Sequence, residues 1–249
     1  MKTIIPNSNK AVSALLKADL TTQWRNRRSV IMVLLVPVII LISWKGAIDK
    51  IGPTFALSSC ITIGLTAIGL MGYSNSIARD RDKGVFQRLR VAPVPTWSIM
   101  VSRLLVQLVM ILLTTGLVFF AGYYYDHISL QPANYFMTFF AAMVGGAVYL
   151  GLGQMIVGLV KNAETVSSTT RLVYFVFIMV GMFGEFGILG QQVKDIVGWS
   201  PYGTVKAILA STMEPGKWTN HSTQALIATF IYAIGFSIIG IKKFKWSSK

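Results

Sequence analysis

The sequence predicts an all-α, polytopic membrane protein, and three observations carry that reading. Hydrophobic residues make up 53% of the chain and charged residues only 13%, about half the charge of an average soluble domain. The apolar residues gather into runs close to the ~20 residues a helix needs to cross a bilayer. The basic residues gather at the ends of those runs, where charge sets membrane orientation. The net charge of +14 therefore reads as topology. A nucleic-acid partner is excluded, because no stretch outside the runs is long enough to build a basic binding surface.

Six runs qualify as spans. The first, residues 29–44, is short at ~24 Å by helical rise, so Arg27, Arg28 and Lys45 beside it are expected to snorkel to the interfaces. The others cover 54–77, 97–123, 135–160, 172–189 and 223–241. Of the 23 lysines and arginines, all but Lys45, Lys50, Lys194, Lys206 and Lys217 fall on one side of this threading. The positive-inside rule makes that side cytoplasmic and places both termini there. Residues 1–28 are then a cytoplasmic segment, 29–241 the transmembrane domain and 242–249 a basic cytoplasmic tail. No cleavable signal is visible in the basic N-terminal stretch. A single cysteine, Cys60, lies within a run and leaves no internal disulfide.

Two segments outside the spans add to this. Over 10–28, Val12, Leu16, Leu20 and Trp24 recur every four residues beside Leu15, which predicts an amphipathic helix. Its Lys17, Arg25, Arg27 and Arg28 suit anionic headgroups, so it is expected to lie on the inner leaflet. Residues 191–213 are moderately apolar but broken by Gly198, Pro201 and Gly203. They predict two short helices dipping into the outer leaflet, with protein covering the turn between them.

The most informative stretch is 79–94, Arg-Asp-Arg-Asp-Lys-Gly-Val-Phe-Gln-Arg-Leu-Arg-Val-Ala-Pro-Val. Charges alternate in sign from Arg79 to Lys83, as at a solvated helix end leaving the membrane. Gly84 permits a left-handed cap. A short helix over 85–91 is expected, with Phe86, Leu89 and Arg90 sharing a face, stopped by Pro93 and Pro95. This surface suits the docking of another protein, and an ordinary basic loop that only fixes topology fits equally well.

Residues 79–103, ending in Thr-Trp-Ser-Ile-Met-Val-Ser-Arg, resemble the signature of the ABC-2 type permease family. There an acidic-basic run, a glycine, a Leu-Arg core and a proline precede a span that opens with Trp and continues to Lys/Arg-Leu. The family's order of features, an amphipathic N-terminal helix, six spans and a re-entrant helical pair before the last span, matches nearly the whole chain. Many members have Glu where Gln87 stands and Thr where Val85 stands. The resemblance implies the membrane subunit of a bacterial ABC exporter in the cytoplasmic membrane, working as a homodimer or heterodimer with two copies of a separate ATPase. ATP and Mg would be held by that partner, and no cofactor by this chain. Residues 83–94 would be the coupling helix, so Arg81, Lys83, Gly84, Phe86, Gln87, Arg88, Leu89, Arg90 and Pro93 are the ATPase-coupling candidates. Phe86 and Leu89 would pack in the ATPase cleft, and Arg88 and Arg90 would meet acidic groups.

Polar and aromatic groups at membrane depth are the substrate-path candidates: Asn75, Gln107, Gln154, Phe175, Met179, Phe183 and Glu185. Interhelical hydrogen bonding accounts for any single polar one equally simply. The glycines at 145, 146, 151, 153 and 158 read as close helix packing. An intramembrane enzyme is disfavoured, since His127 and His221 lie in loops with no clustered partners and no metal set is visible. A secondary transporter is a rival reading, against which stand sparse buried charge and no clear internal repeat, and a channel-like membrane protein not coupled to ATP fits the sequence as well. The cargo expected is a small hydrophobic or amphiphilic compound.

Overall fold

A computed structural model describes residues 8–25, 27–91 and 96–244, and within them every regular element is helical. The chain runs through α1 (Ser8–Arg25), α2 (Arg27–Ser43) and a single turn α3 (Ile48–Ile51). A continuous rod follows, made of α4 (Pro53–Thr66), a π-helical segment (Ala67–Ser74) and α5 (Asn75–Asp82). Then come the short α6 (Val85–Val91) and three long helices, α7 (Thr96–Asp126), α8 (Pro132–Leu159) and α9 (Ala163–Glu185). A hairpin of α10 (Gln191–Trp199) and α11 (Pro201–Met213) precedes α12 (Asn220–Lys243).

Five helices of the described residues are long and apolar enough to cross a membrane: the rod, α7, α8, α9 and α12. The first expected span folds as α2, an apolar helix of 17 residues, about 26 Å by helical rise against a hydrocarbon core of about 30 Å. Helix α9 begins well before residue 172, the expected start of its span. The Asn162 side chain accepts a hydrogen bond from the Glu164 amide, an N-cap that lets the polar residues 163–171 extend the helix.

The rod is the axis of the bundle. It opens at Gly52 (φ 87°) and Pro53, the first-turn position where a missing N–H costs nothing. Every residue from 56 to 70 is buried, with α2, α7, α8, α9 and α11 packed around it. Leu57, Ile61, Leu65 and Ile68 form a core with Ile111, Val118, Val148 and Val205. The hydroxyls of Thr62, Thr66, Thr114 and Thr229 each donate to the carbonyl four residues earlier. These four hydroxyls inside the bundle are thereby satisfied on their own helix, as an apolar solvent favours.

Glycine sets how closely the helices approach. A Cβ on Gly69 would run into the Tyr149 backbone, and one on Gly153 into Ser74 Oγ and the Gly69 carbonyl. The π-helical turn of the rod is therefore seated against α8 with no side chain between. Ser74 Oγ donates to the Gly69 carbonyl at 2.7 Å inside that turn. Gly151 and Gly158 bring α8 against α12, where Gly240 meets the Gln154 backbone. These positions carry packing, as the sequence suggests. On the outside, Leu113, Leu117 and Phe120 of α7, Leu172 and Phe175 of α9, and Ile227, Ile231 and Ile234 of α12 are exposed. Apolar faces of this extent match lipid rather than water.

Gly153→Val is expected to break the seam between the rod and α8, while Gly235→Val, whose Cβ meets nothing within 4 Å, is tolerated. Overpacking of this kind costs about 1–3 kcal/mol or more. Thermal melts of the two variants in detergent check the contrast; equal melting points would contradict it.

Candidate functional site

The charged end of the rod is where sequence and structure diverge most. Within the alternating run Arg79 stays exposed, while Asp80, Arg81 and Asp82 are each tied to another helix. Asp80 pairs with Arg103 of α7 at 2.7 Å. Arg81 is only 2% exposed. Its Nη1 donates to the Val157 carbonyl at 2.7 Å, and its Nη2 to the carbonyls of Val160 and Lys161 at 2.8 and 2.5 Å. The last turn of α8 leaves such carbonyls without intrahelical partners. A guanidinium, with its fork of donors and its charge set against the negative end of the helix dipole, fits them. Asp82 Oδ2 accepts from the Ala163 amide at 3.1 Å, at the start of α9 where a carboxylate complements the dipole. Arg81 and Asp82 together clamp the α8–α9 connection. Arg81 is thus buried and engaged within the chain, and does not stand at a solvated helix end as its sequence context suggests.

Helix α6 turns back from the rod at Gly84, whose φ of 68° is the left-handed cap expected there. That reversal drives the Phe86 ring into the bundle, where it is 0% exposed. It packs with Ile77 and Val166, meets Phe244 edge-on at 5.7 Å and lies 4.9 Å from the Arg103 guanidinium carbon. Phe86 therefore holds α6 to this chain and is buried in it, where its sequence context suggests a side chain facing the cytoplasm. Lys83, Gln87 and Arg88 are exposed, with Arg88 donating to the Lys83 carbonyl at 3.2 Å. The side chains of Leu89 and Arg90, and all of Pro93, lie outside the described residues. Helix α1 rests on α7 beside this cluster, with Ser102 Oγ donating to Asp19 Oδ2 at 2.5 Å. Burial pushes the Asp19 carboxyl above its ordinary range, against the pull of Ser102 and Arg103.

The seven path candidates do not converge on one passage. Asn75 donates to the Met71 carbonyl at 2.9 Å, and Gln154 accepts from the Tyr73 hydroxyl at 2.9 Å. Gln107 lines a small void of about 30 Å³ with Tyr73, Asp80 and Arg103. These three sit in the half of the bundle near α6. Phe175 and Phe183 face outward on α9, and Met179 is half-buried. Glu185 stands apart at the opposite end.

There a cavity of about 860 Å³ opens between the start of the rod, the end of α9, the α10–α11 hairpin and the start of α12. Glu185 forms an ion pair inside it with Lys206 of α11, itself only 5% exposed. The Lys206 ammonium lies 3.2 Å from the centroid of the Phe55 ring, and Phe55 packs on Phe186 at 5.2 Å. The hairpin reaches deep between the long helices. Its turn is bound by Tyr149, whose hydroxyl donates to the Pro201 carbonyl at 3.3 Å, and by Tyr232, which donates to the Trp199 carbonyl at 2.8 Å. Gly203 has no room for a Cβ beside Val197 and Gly198, and Ser200 caps α11 by accepting from the Gly203 amide. At the rim, Thr54 donates to Glu214, which also pairs with Lys217. Lys217 and Thr54 hold the Glu214 carboxyl below its usual range.

Reading the sequence missed Lys206, which counts there as a loop cation. The signal lies in Glu185: a lone carboxylate at the end of an apolar run requires a buried partner, and Lys206 is the cation within 201–213. It also missed Arg103 as the residue joining Asp80 to Phe86.

The sequence matches the family model for the ABC-2 type transporter over residues 10–200, from α1 to the hairpin turn. The chain belongs to the ABC-2 type transporter family. It is 22% identical over 191 residues to the protein named "Putative transport permease YvfS" of Bacillus subtilis (strain 168), a match covering 74% of this chain and 78% of that protein. The protein is a membrane transport permease, and its family membership implies partnership with an ATPase. Within this permease the rod end, α6, the α8–α9 connection and the start of α7 form one charged junction. Removing a buried guanidinium that satisfies three carbonyls costs several hydrogen bonds to a charged group, each worth about 1.5–3 kcal/mol. Arg81→Met is expected to lower the melting temperature far more than Arg88→Met; differential scanning fluorimetry in detergent checks the order, and equal shifts would contradict the clamp.

Proposed function

We propose that this permease is the transmembrane subunit of an ATP-driven exporter of small hydrophobic or amphiphilic compounds, powered by a separate ATPase subunit that docks on α6. The observation that carries the reading is the way α6 is mounted. Phe86 fixes one face of it to the bundle, while Gln87 and Arg88 project away from the bundle and Lys83 is exposed just before the helix. A push on that exposed face passes through Phe86, Arg103 and Asp80 to the rod, and through Arg81 and Asp82 to α8 and α9. The sequence contains no Gly-x-x-x-x-Gly-Lys-Ser/Thr phosphate loop, so ATP and Mg belong to the partner.

In this reading α2 is a sixth, short span, both termini are cytoplasmic, and α1 lies along the inner leaflet. The α10–α11 hairpin is re-entrant, its turn satisfied by Tyr149 and Tyr232 as irregular backbone at membrane depth must be. Two copies of the permease and two ATPases make the working unit in a bacterial cell membrane. Transport follows because cargo and ATP favour different arrangements of the two bundles.

Arg88→Glu is expected to weaken capture of the co-expressed ATPase about tenfold, about 1.4 kcal/mol, with the melting temperature unchanged. Phe86→Asp is expected to lower the melting temperature as well, because that ring belongs to the permease core. Pull-down by the tagged ATPase reads both. Undiminished capture by Arg88→Glu and the neighbouring Gln87→Lys would sink the docking assignment.

A further inference from the structure

We propose that the cavity between the α10–α11 hairpin and the start of the rod is a binding site for lipophilic organic cations, with the Lys206 ammonium as its built-in occupant. This rests on the permease reading and gives it a substrate class. The cavity's volume of about 860 Å³ falls within the ~300–1,000 Å³ typical of small-molecule sites. What the site does chemically is shown by what already fills it. One ammonium is held by a carboxylate, Glu185, and by the face of an aromatic ring, Phe55. A carboxylate beside an aromatic face is the chemistry that recognises alkylammonium and related cations, and it strengthens when desolvated.

The two partners of the ion pair are not equally replaceable. Lys206 carries its charge on a flexible four-carbon stem that can swing toward the open rim. Glu185 has a shorter stem fixed at the end of α9, and an anion that displaced it would leave a buried carboxylate unpaired. The lining carries Glu185, Asp195 and Glu214 against Lys194, Lys206 and Lys217. Once Lys206 withdraws, three carboxylates face two ammoniums, and Lys217 is committed to Glu214. The vacated site therefore attracts a cation. The ring of Phe55, extended by Phe186, and the indole of Trp199 on the lining supply apolar surface for the rest of such a ligand.

The test is equilibrium dialysis of tetraphenylphosphonium, with tetraphenylborate as its isosteric anion, against the purified full chain in neutral detergent. Wild type is expected to bind the phosphonium saturably and in preference to the borate. Lys206→Met removes the internal competitor and should tighten phosphonium binding about tenfold; adding Glu185→Gln to it should abolish that gain. Phe55→Leu, which leaves the ion pair intact, should weaken binding severalfold and serves if Lys206→Met does not fold. Absence of saturable phosphonium binding to wild type, preference for the borate, weaker phosphonium binding in Lys206→Met, or no effect of Phe55→Leu would each overturn the proposal. The assay contains no ATPase, so its failure leaves the coupling role of α6 standing, and failure of ATPase capture leaves this site standing.

Discussion

A buried guanidinium organises one whole end of this bundle. Arg81 leaves the rod and satisfies three carbonyls at the end of α8, while its neighbours Asp80 and Asp82 reach α7 and the start of α9. Three consecutive residues of one helix thereby bind three other elements. A charge taken out of water is costly unless hydrogen bonds replace its hydration, and the exposed end of α8 offers those acceptors because helix geometry leaves its last carbonyls open. The same demand fixes position, since the clamp works only with the rod end seated directly against the α8–α9 connection.

The rest of the bundle makes that seating possible. Gly69 and Gly153 let the rod and α8 meet backbone to backbone, and the π-helical turn between α4 and α5 lies at that contact. Along one continuous helix the chain thus connects two polar sites in an apolar body. At one end lies the junction of Asp80, Arg81, Asp82 and Arg103 with Phe86. At the other, Phe55 lies under the Glu185–Lys206 pair. The closely packed rod belongs to both sites and joins the junction at α6 to the cavity under the hairpin.

The helical class, the placing of the long helices and the break at Pro201 were legible in the sequence because lipid imposes a strong length and polarity rule on every crossing. The family resemblance was legible too, in the charged run and the glycine before α7. Two things were not. Alternating charge at a helix end looks the same whether water or other helix ends satisfy it, so Arg81 read as exposed. The spacing of Phe86 gave its face of α6 but not which way that face turns, and the reversal at Gly84 sends it inward. Lys206 was hidden for a related reason. Its position in a broken apolar stretch says nothing of Glu185, 21 residues earlier, until the hairpin folds back over α9.

If the clamp holds, α6 and the rod end move as one body with the α8–α9 connection. Spin labels at Gln87→Cys and Lys161→Cys, with labelled permease diluted among unlabelled copies in the complex with its ATPase, measure this directly. The same 87–161 distance is expected in nucleotide-free and ATP-trapped complexes. A displacement beyond the width of the resting distribution on ATP binding would show α6 sliding on the bundle and would contradict the clamp.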